Sequence, residues 1–212
     1  MSSTVLDMSM SLDGFIAGPN ESVDNGLGDG GERLHEWVFA GTGAESSGVP
    51  RRPPGVNGEV FDEMMSTGAV VAGRGTAEPA GYWRGDHHDG VPIFILSRDP
   101  SEAEQARWPL VTYVGDVGAA MARAKEAAGE KNVLVHGAGV AQLALAAGVL
   151  DEIQIHLVPV LLGEGRRLFD NLGPDQVELE PIGVVEGAGV THLRYRVTQV
   201  AAGRSRGRSR SL

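Results

Sequence analysis

Val133-Leu134-Val135-His136-Gly137-Ala138-Gly139-Val140-Ala141-Gln142 is the stretch on which the fold turns. The apolar run Val133 to Val135 reads as a strand, glycines follow at once, and Ala141 to Ala147 reads as a helix that Gly148 closes. Strand, glycine turn and helix form the repeating unit of an α/β sheet, and unpaired N–H groups at such a helix start can face a phosphate. The spacing is not the G-x-G-x-x-G dinucleotide fingerprint, because Gln142 stands at the third glycine position. A Gly-Ala-Gly turn also joins many strands to helices for steric reasons alone.

A second turn of similar chemistry raises the interest of the first. Val70-Val71-Ala72-Gly73-Arg74-Gly75-Thr76 again sets glycines at the carboxyl end of an unbroken apolar run, the pattern of a strand covered on both faces. Ile93-Phe94-Ile95-Leu96 runs likewise into Ser97-Arg98. Open α/β sheets bind ligands in the crevice outside their strand carboxyl ends, so turns of this kind suggest one elongated ligand. Arg74 with the Thr76 hydroxyl suits an anionic group, and Ser97 with Arg98 suits a 2′-phosphate, which favours NADPH over NADH. Ordinary surface ion pairs are the competing account of both arginines.

Upstream, Val5 to Met10 reads as a strand feeding the loop Ser11 to Pro19, and Asn20 to Gly31 is a glycine-rich loop long enough to be a lid. Glu32 to Phe39 reads as a short helix, and Gly41 to Gly55 as irregular chain. Asn57 is the expected N-cap of a helix burying Val60, Phe61, Met64 and Met65, ended by Gly68. Asp116 is the expected cap of a helix through Ala128, with Val117, Ala120, Met121, Ala124 and Ala127 on one stripe. Ile153 to Leu162 reads as a long strand in which Pro159 forces a bulge or an edge position. Ile182 to Glu186 and Val190 to Val200 flank Gly187-Ala188-Gly189 as a hairpin. One domain over 1–200 is expected, with a basic tail over 201–212 that has too little apolar surface to order itself.

With 18 Lys and Arg against 28 Asp and Glu, the net charge of -10 opposes nucleic-acid binding, which clustered cations drive. With no cysteine there is no disulfide, thiolate metal site or cysteine nucleophile. Neither a basic, apolar leader nor a run of about 18 apolar residues is visible, so a cytoplasmic protein with no membrane partner is expected.

Five segments in order resemble one family. They are Ser11-Leu12-Asp13-Gly14-Phe15-Ile16-Ala17, Gly73-Arg74-Gly75-Thr76, Ile95-Leu96-Ser97-Arg98, His136-Gly137-Ala138-Gly139, and Leu150-Asp151-Glu152-Ile153 through Pro159-Val160-Leu161-Leu162-Gly163-Glu164-Gly165. The chain resembles the dihydrofolate-reductase-like proteins over about Val5 to Val200, and most of all the stand-alone relatives of the reductase domain of the riboflavin-pathway deaminase-reductase. The resemblance implies an α/β three-layer fold: a mixed, mostly parallel eight-stranded sheet with flanking helices and a C-terminal β-hairpin. It implies NADPH held by Gly73, Arg74, Gly75, Thr76, Ser97 and Arg98 at the adenosine phosphates. Gly137, Ala138, Gly139, Val140 and Gln142 would lie at the pyrophosphate, and Ala17 and Gly18 at the nicotinamide. Pro159 to Gly165 would border the pocket, and a homodimer is expected. Two departures leave the substrate open: Ala77-Glu78-Pro79-Ala80 replaces the substrate-contacting Asp-Asn-Pro-like run of riboflavin-pathway reductases, and the helix acids Glu32 and Glu36 do not align with the single acid of dihydrofolate reductases.

Hydride transfer to a C=N or C=O group of a small, heterocyclic molecule belongs to the nicotinamide; the protein must orient the acceptor, exclude water and supply a proton. The candidate proton donors are Asp13, His35, Glu36 and His88, with Asp24 and His87 behind them. Asp13, placed before a glycine, is equally the residue type that holds a turn. His87 and His88 between Asp86 and Asp89 have the ligand types of a metal site, but adjacent histidines diverge and no metal is expected. A non-catalytic NADPH-binding sensor or scaffold on the same fold is the alternative.

Overall fold

Alternation decides which strand residues face which layer. In Ala69-Val70-Val71-Ala72 all four side chains are buried, with Val71 on one face and Val70 and Ala72 on the other, so helices must cover both faces. The computed structural model describes residues 2–39, 52–101, 106–173 and 176–198. Its main sheet has eight strands in the order β5-β4-β3-β6-β1-β7-β10-β9. These are β1 (Thr4–Ser11), β3 (Ala69–Gly73), β4 (Ile93–Leu96), β5 (Val111–Val114), β6 (Val133–His136), β7 (Glu152–Val158), β9 (Glu178–Gly187) and β10 (Val190–Thr198). From β5 to β7 every neighbouring pair is parallel. Strand β10 is antiparallel to both β7 and β9, which makes the expected C-terminal hairpin. β2 (Phe15–Ala17) and β8 (Arg166–Arg167) form a separate two-stranded ribbon.

Helices Val117–Ala128 and Ala138–Ala146 bury Ala120, Met121, Ala124, Ala138, Ala141 and Ala144 against Leu6, Val71, Val133 and Val135. Small side chains there let the helices sit close to the sheet. The other face gathers Val70, Ala72, Ile93, Ile95 and Leu134 with Ala77, and a third cluster joins Leu34, Trp37, Val38 and Phe61 to Val158 and Val190. Full burial of one Val, Leu, Ile or Phe is worth about 1.5–3 kcal/mol, and these layers supply the main driving force for folding.

Asp116 caps its helix as expected, accepting from the Ala119 N–H at 2.8 Å. The buried stripe ends at Ala128, and Ala127 is exposed, because the helix keeps its 3.6-residue period to its last turn. Asn57 is not an N-cap. Helix Gly55–Met65 already begins after Pro54, and Asn57 is buried with its amide donated to the Ala188 carbonyl. Ser66, before Gly68, is the C-cap. The helix expected over 141–147 begins at Ala138, directly after Gly137. Pro159 neither bulges its strand nor sits at an edge: β7 lies inside the sheet and stops at Val158, since proline has no N–H to continue the ladder. Positions 41–51 of the stretch expected to be irregular, and the whole tail over 201–212, lie outside the described residues.

Candidate functional site

Parallel pairing places three loops at one sheet edge. Gly73 pairs with Leu96 and Ala72 with His136, so the residues after β3, β4 and β6 leave the sheet side by side. The Gly73–Thr76 and Gly137–Val140 turns touch. Gly137 has φ 94° and ψ 149°, and a Cβ there would lie 2.0 Å from Thr76 Oγ1. Only glycine serves at such a close approach in that region of backbone space. Val140 is buried and sits beneath Gly73. Ser97 and Arg98 continue the row beside β5, with Arg98 exposed. Arg74 is tied to Glu78 at 2.7 Å. Gln142 spends its amide structurally, donating to the Leu168 carbonyl at 2.9 Å and accepting from Asn171.

Below these turns opens a cavity of about 700 Å³, the size of a small-molecule site. Its walls are Ile16, Ala17, Leu27, Trp37, Val38, Phe61, Met64, Met65 and Trp83; Thr76 joins it to the glycine turns. Ala17 lines it directly, and Gly18 lies beside Ala17 with the folded-back loop packed so tightly that a Cβ would meet the Asp29 carbonyl at 2.0 Å. That loop, the expected lid, reaches the cavity through Glu21, Gly26 and Leu27. Glu21 is clasped by Arg166 at 2.8 Å, and Arg166 also donates to the Gly75 carbonyl at 3.0 Å, so one guanidinium bridges that loop and the Gly73–Thr76 turn. Burial pushes the Glu21 carboxyl up despite Arg166. The segment 159–165 meets the cavity only through its successor, Arg166. Trp83 and Arg84 reach the wall from a turn in which Tyr82, Trp83 and Arg84 all have left-handed backbone, φ 52°, 48° and 58°.

The floor is polar. Asp7, Ser9, His35, His87, His136 and His156 all line it. Asp7, Ser9 and Ser11 alternate along β1 and so share one face; Ser9 pairs with His156 of β7, and His156 with His192 of β10. Asp7 Oδ1 lies 3.1 Å from His156 Nε2, His156 Nδ1 lies 2.8 Å from His192 Nδ1, and His192 Nε2 lies 3.2 Å from Asn57 Oδ1. Trp37 packs on both rings, at 4.5 and 5.0 Å between centroids, and donates its N–H to Ser9 Oγ. His136 Nδ1 donates to the Asp7 carbonyl at 2.9 Å. Burial raises the Asp7 carboxyl, but the charge and hydrogen bond of His156, with His136 and His192, outweigh it and leave Asp7 below the ordinary carboxylate range. Burial drives His136 down, and takes His87 to about 2 and His192 to about 4.

Of the four expected proton donors, only His35 lines the cavity, and burial holds it at about 4, hence neutral near pH 7. Its Nδ1 is buried with no hydrogen-bond partner among the described residues. Glu36 is exposed in a pair with Arg33. His88 lies behind the wall, its Nε2 at the Thr67 carbonyl and its Nδ1 2.8 Å from His87 Nδ1. Asp13 accepts from Ser11 Oγ, Leu162 N–H and Gly163 N–H, which together hold its carboxyl below the ordinary range and bind the first loop to the chain after Pro159. Asp24 is exposed and does not line the cavity. The residues that sequence reasoning missed are Asp7, His136, His156, Glu21 and Arg166.

The family model for the RibD C-terminal domain matches residues 3–193. A Shewanella sp. PV-4 protein named for riboflavin biosynthesis is 23% identical over 93% of this chain and 99% of its own, with a TM-score of 0.67. Dihydrofolate reductase of Enterococcus faecalis, solved with NADP(H), is 14% identical over 93% of this chain and 97% of its own, with a TM-score of 0.57. The diaminohydroxyphosphoribosylaminopyrimidine deaminase/5-amino-6-(5-phosphoribosylamino)uracil reductase of Thermotoga maritima is also 14% identical, over 93% of this chain and 57% of its own, with a TM-score of 0.57. These three share the fold. No curated protein matches this sequence.

Proposed function

The chain belongs to the RibD C-terminal domain family, and from that premise we propose that it is an NADPH-dependent reductase that transfers hydride to a C=N or C=O group of a flat, weakly polar heterocycle. The observation that carries this reading is the meeting of two glycine turns, Gly137 against Thr76, at the mouth of a cavity whose floor holds titratable groups. The helix that starts at Ala138 and the turn at Gly73 present backbone N–H groups for the pyrophosphate and adenosine phosphates. Ser97 and Arg98, in the same row, would take the 2′-phosphate and so select NADPH over NADH. The nicotinamide would lie beside Ala17 and Thr76, with the acceptor between Trp37 and Trp83.

Bound there, NADPH supplies hydride from its nicotinamide ring. The residues supply the rest: the aromatic walls orient a flat acceptor, and the lid clasped by Arg166 excludes water. We include a homodimer in the proposal, because β9 is ten residues long, pairs on one side only among the described residues, and exposes Leu179, Ile182, Val184 and Val185. Titration of the protein with NADPH, followed by quenching of tryptophan fluorescence, tests the cofactor reading; saturation in the micromolar range is expected, and no binding at high micromolar concentration refutes it. NADPH oxidation at 340 nm across a panel of cyclic imines, pteridines and quinones then separates a reductase from a sensor that binds without turnover.

A further inference from the structure

Asp7, His156, His192 and Asn57 form one buried chain of hydrogen-bond contacts. All four residues are at least 95% buried. Asn57 has a fixed orientation, because its amide nitrogen faces the Ala188 carbonyl, which can only accept; its Oδ1 therefore accepts from His192 Nε2. The three contacts onward from Asn57, at 3.2, 2.8 and 3.1 Å, each require one hydrogen. Two neutral imidazoles carry two. The third must come from a protonated Asp7 or from an imidazolium, so the chain holds one proton beyond neutral rings and an ionised carboxylate.

We propose that this extra proton is shared between Asp7 and His156 at the cavity floor and is the proton delivered to the substrate atom that hydride transfer leaves basic. Both residues line the cavity, whereas His192 and Asn57 do not, so the last two are positioning residues that fix which ring nitrogen carries hydrogen. Burial pushes His192 down to about 4, which keeps that ring neutral near pH 7 and places the proton at the Asp7 end. The groups around the pair are His136, bonded through Nδ1 to the Asp7 carbonyl, the neutral His35, the Trp37 ring over both histidines, and Ser9. The proposal about the substrate rests on the reductase reading; the proton count does not.

The step balances. Hydride leaves NADPH for the carbon of C=N, the π pair moves to nitrogen, and that nitrogen takes the proton; NADP⁺ and an amine result. Asp7 and His156 are left with two lone pairs facing each other at 3.1 Å, an arrangement that draws a proton back from solvent.

Asp7→Asn is the discriminating variant. An asparagine amide donates to His156 Nε2, so the hydrogen bonds persist with both rings neutral and the extra proton is gone. On the full chain at pH 7, histidine-¹⁵N and carboxyl-¹³C NMR should find either a protonated Asp7 or an imidazolium at His156. Unfolding should release about one more proton from the wild-type chain than from D7N, read in buffers of differing ionisation enthalpy. An ionised Asp7 facing an unprotonated Nε2, or equal proton release, overturns the proposal. With any compound of the panel that is reduced, D7N should keep NADPH affinity and lose on the order of 100-fold or more in kcat. Unchanged kcat overturns the delivery step. His192→Phe, in contrast, should shift the pH profile of kcat; an unshifted profile counts against its positioning role. Loss of NADPH binding by the wild-type protein would refute the reductase reading and leave the proton count standing.

Discussion

Replacing Gly137 by alanine places a methyl group where the two glycine turns meet. Two costs follow and they are separable. The backbone at φ 94°, ψ 149° lies in a region that is nearly glycine-only, worth about 1–3 kcal/mol of strain for any other residue. The new Cβ would stand 2.0 Å from Thr76 Oγ1 and 3.1 Å from Thr76 Cβ, so the threonine must rotate or the turns must part. Overpacking of this kind costs about 1–3 kcal/mol. Together these predict that G137A is destabilised by roughly 2–6 kcal/mol, and that NADPH binding weakens because the N–H groups after Gly137 shift. Removing the hydroxyl and methyl in T76A alone should cost less than about 1.5 kcal/mol, since the Thr76 side chain is only partly buried. The double variant G137A/T76A should recover the steric part and keep the backbone part, a favourable coupling of at least about 1 kcal/mol. Urea unfolding of the four proteins, with NADPH titrations in parallel, measures all of this. If G137A unfolds within about 0.5 kcal/mol of wild type, or if the two substitutions are simply additive, the close approach of the turns is refuted.

Arg166→Met breaks the clasp on Glu21 and the bond to the Gly75 carbonyl; a partly exposed ion pair contributes about 0–1 kcal/mol, so stability should barely change while NADPH dissociates several-fold faster in stopped flow, and an unchanged off-rate counts against a closing role. Acid should destabilise the protein. His35 is held at about 4 against 6.5, so between those values the unfolded chain binds a proton that the folded chain refuses; stability is complete above about pH 6.5 and falls as pH drops towards 4. The shift of about 2.5 units sets an upper value on the order of 3 kcal/mol for His35, reduced by the ring's opening onto the cavity, and His192 acts in the same direction. Urea unfolding at pH 7 and pH 5 should show H35L to be less acid-sensitive than wild type; equal sensitivity would exclude His35 as a source.

The strand ends and their turns were legible in the sequence because unbroken apolar runs beside glycine have few other uses. Val70 to Gly73 and Val133 to Gly137 form the edge that their pattern suggested. The polar floor was harder to see. Val5 to Met10 has the look of an apolar run, yet it carries Asp7 and Ser9 on one face, and His156 and His192 stand on strands whose register the sequence does not state. The signal was alternation: a polar residue at every second position of a central strand marks a wet face or a buried network. Asn57 has the residue type of a helix cap, and only tertiary packing against Ala188 and His192 assigns it elsewhere. Arg166 lies beyond the segment that the family resemblance pointed to, and its reach to Glu21 depends on the fold-back of a loop 145 positions away.

The left-handed backbone at Tyr82, Trp83 and Arg84 bears on how a ligand enters. Each such residue costs roughly 1–2 kcal/mol, so three store on the order of 3–6 kcal/mol in one stretch of wall. That energy is released when the stretch lets go, while the lid must first break the Arg166 clasp and a tightly fitted backbone at Gly18. A change of backbone on the Trp83 side therefore recovers strain as it uncovers the cavity, so this sprung panel is expected to be a second way in, beside the loop that Arg166 holds.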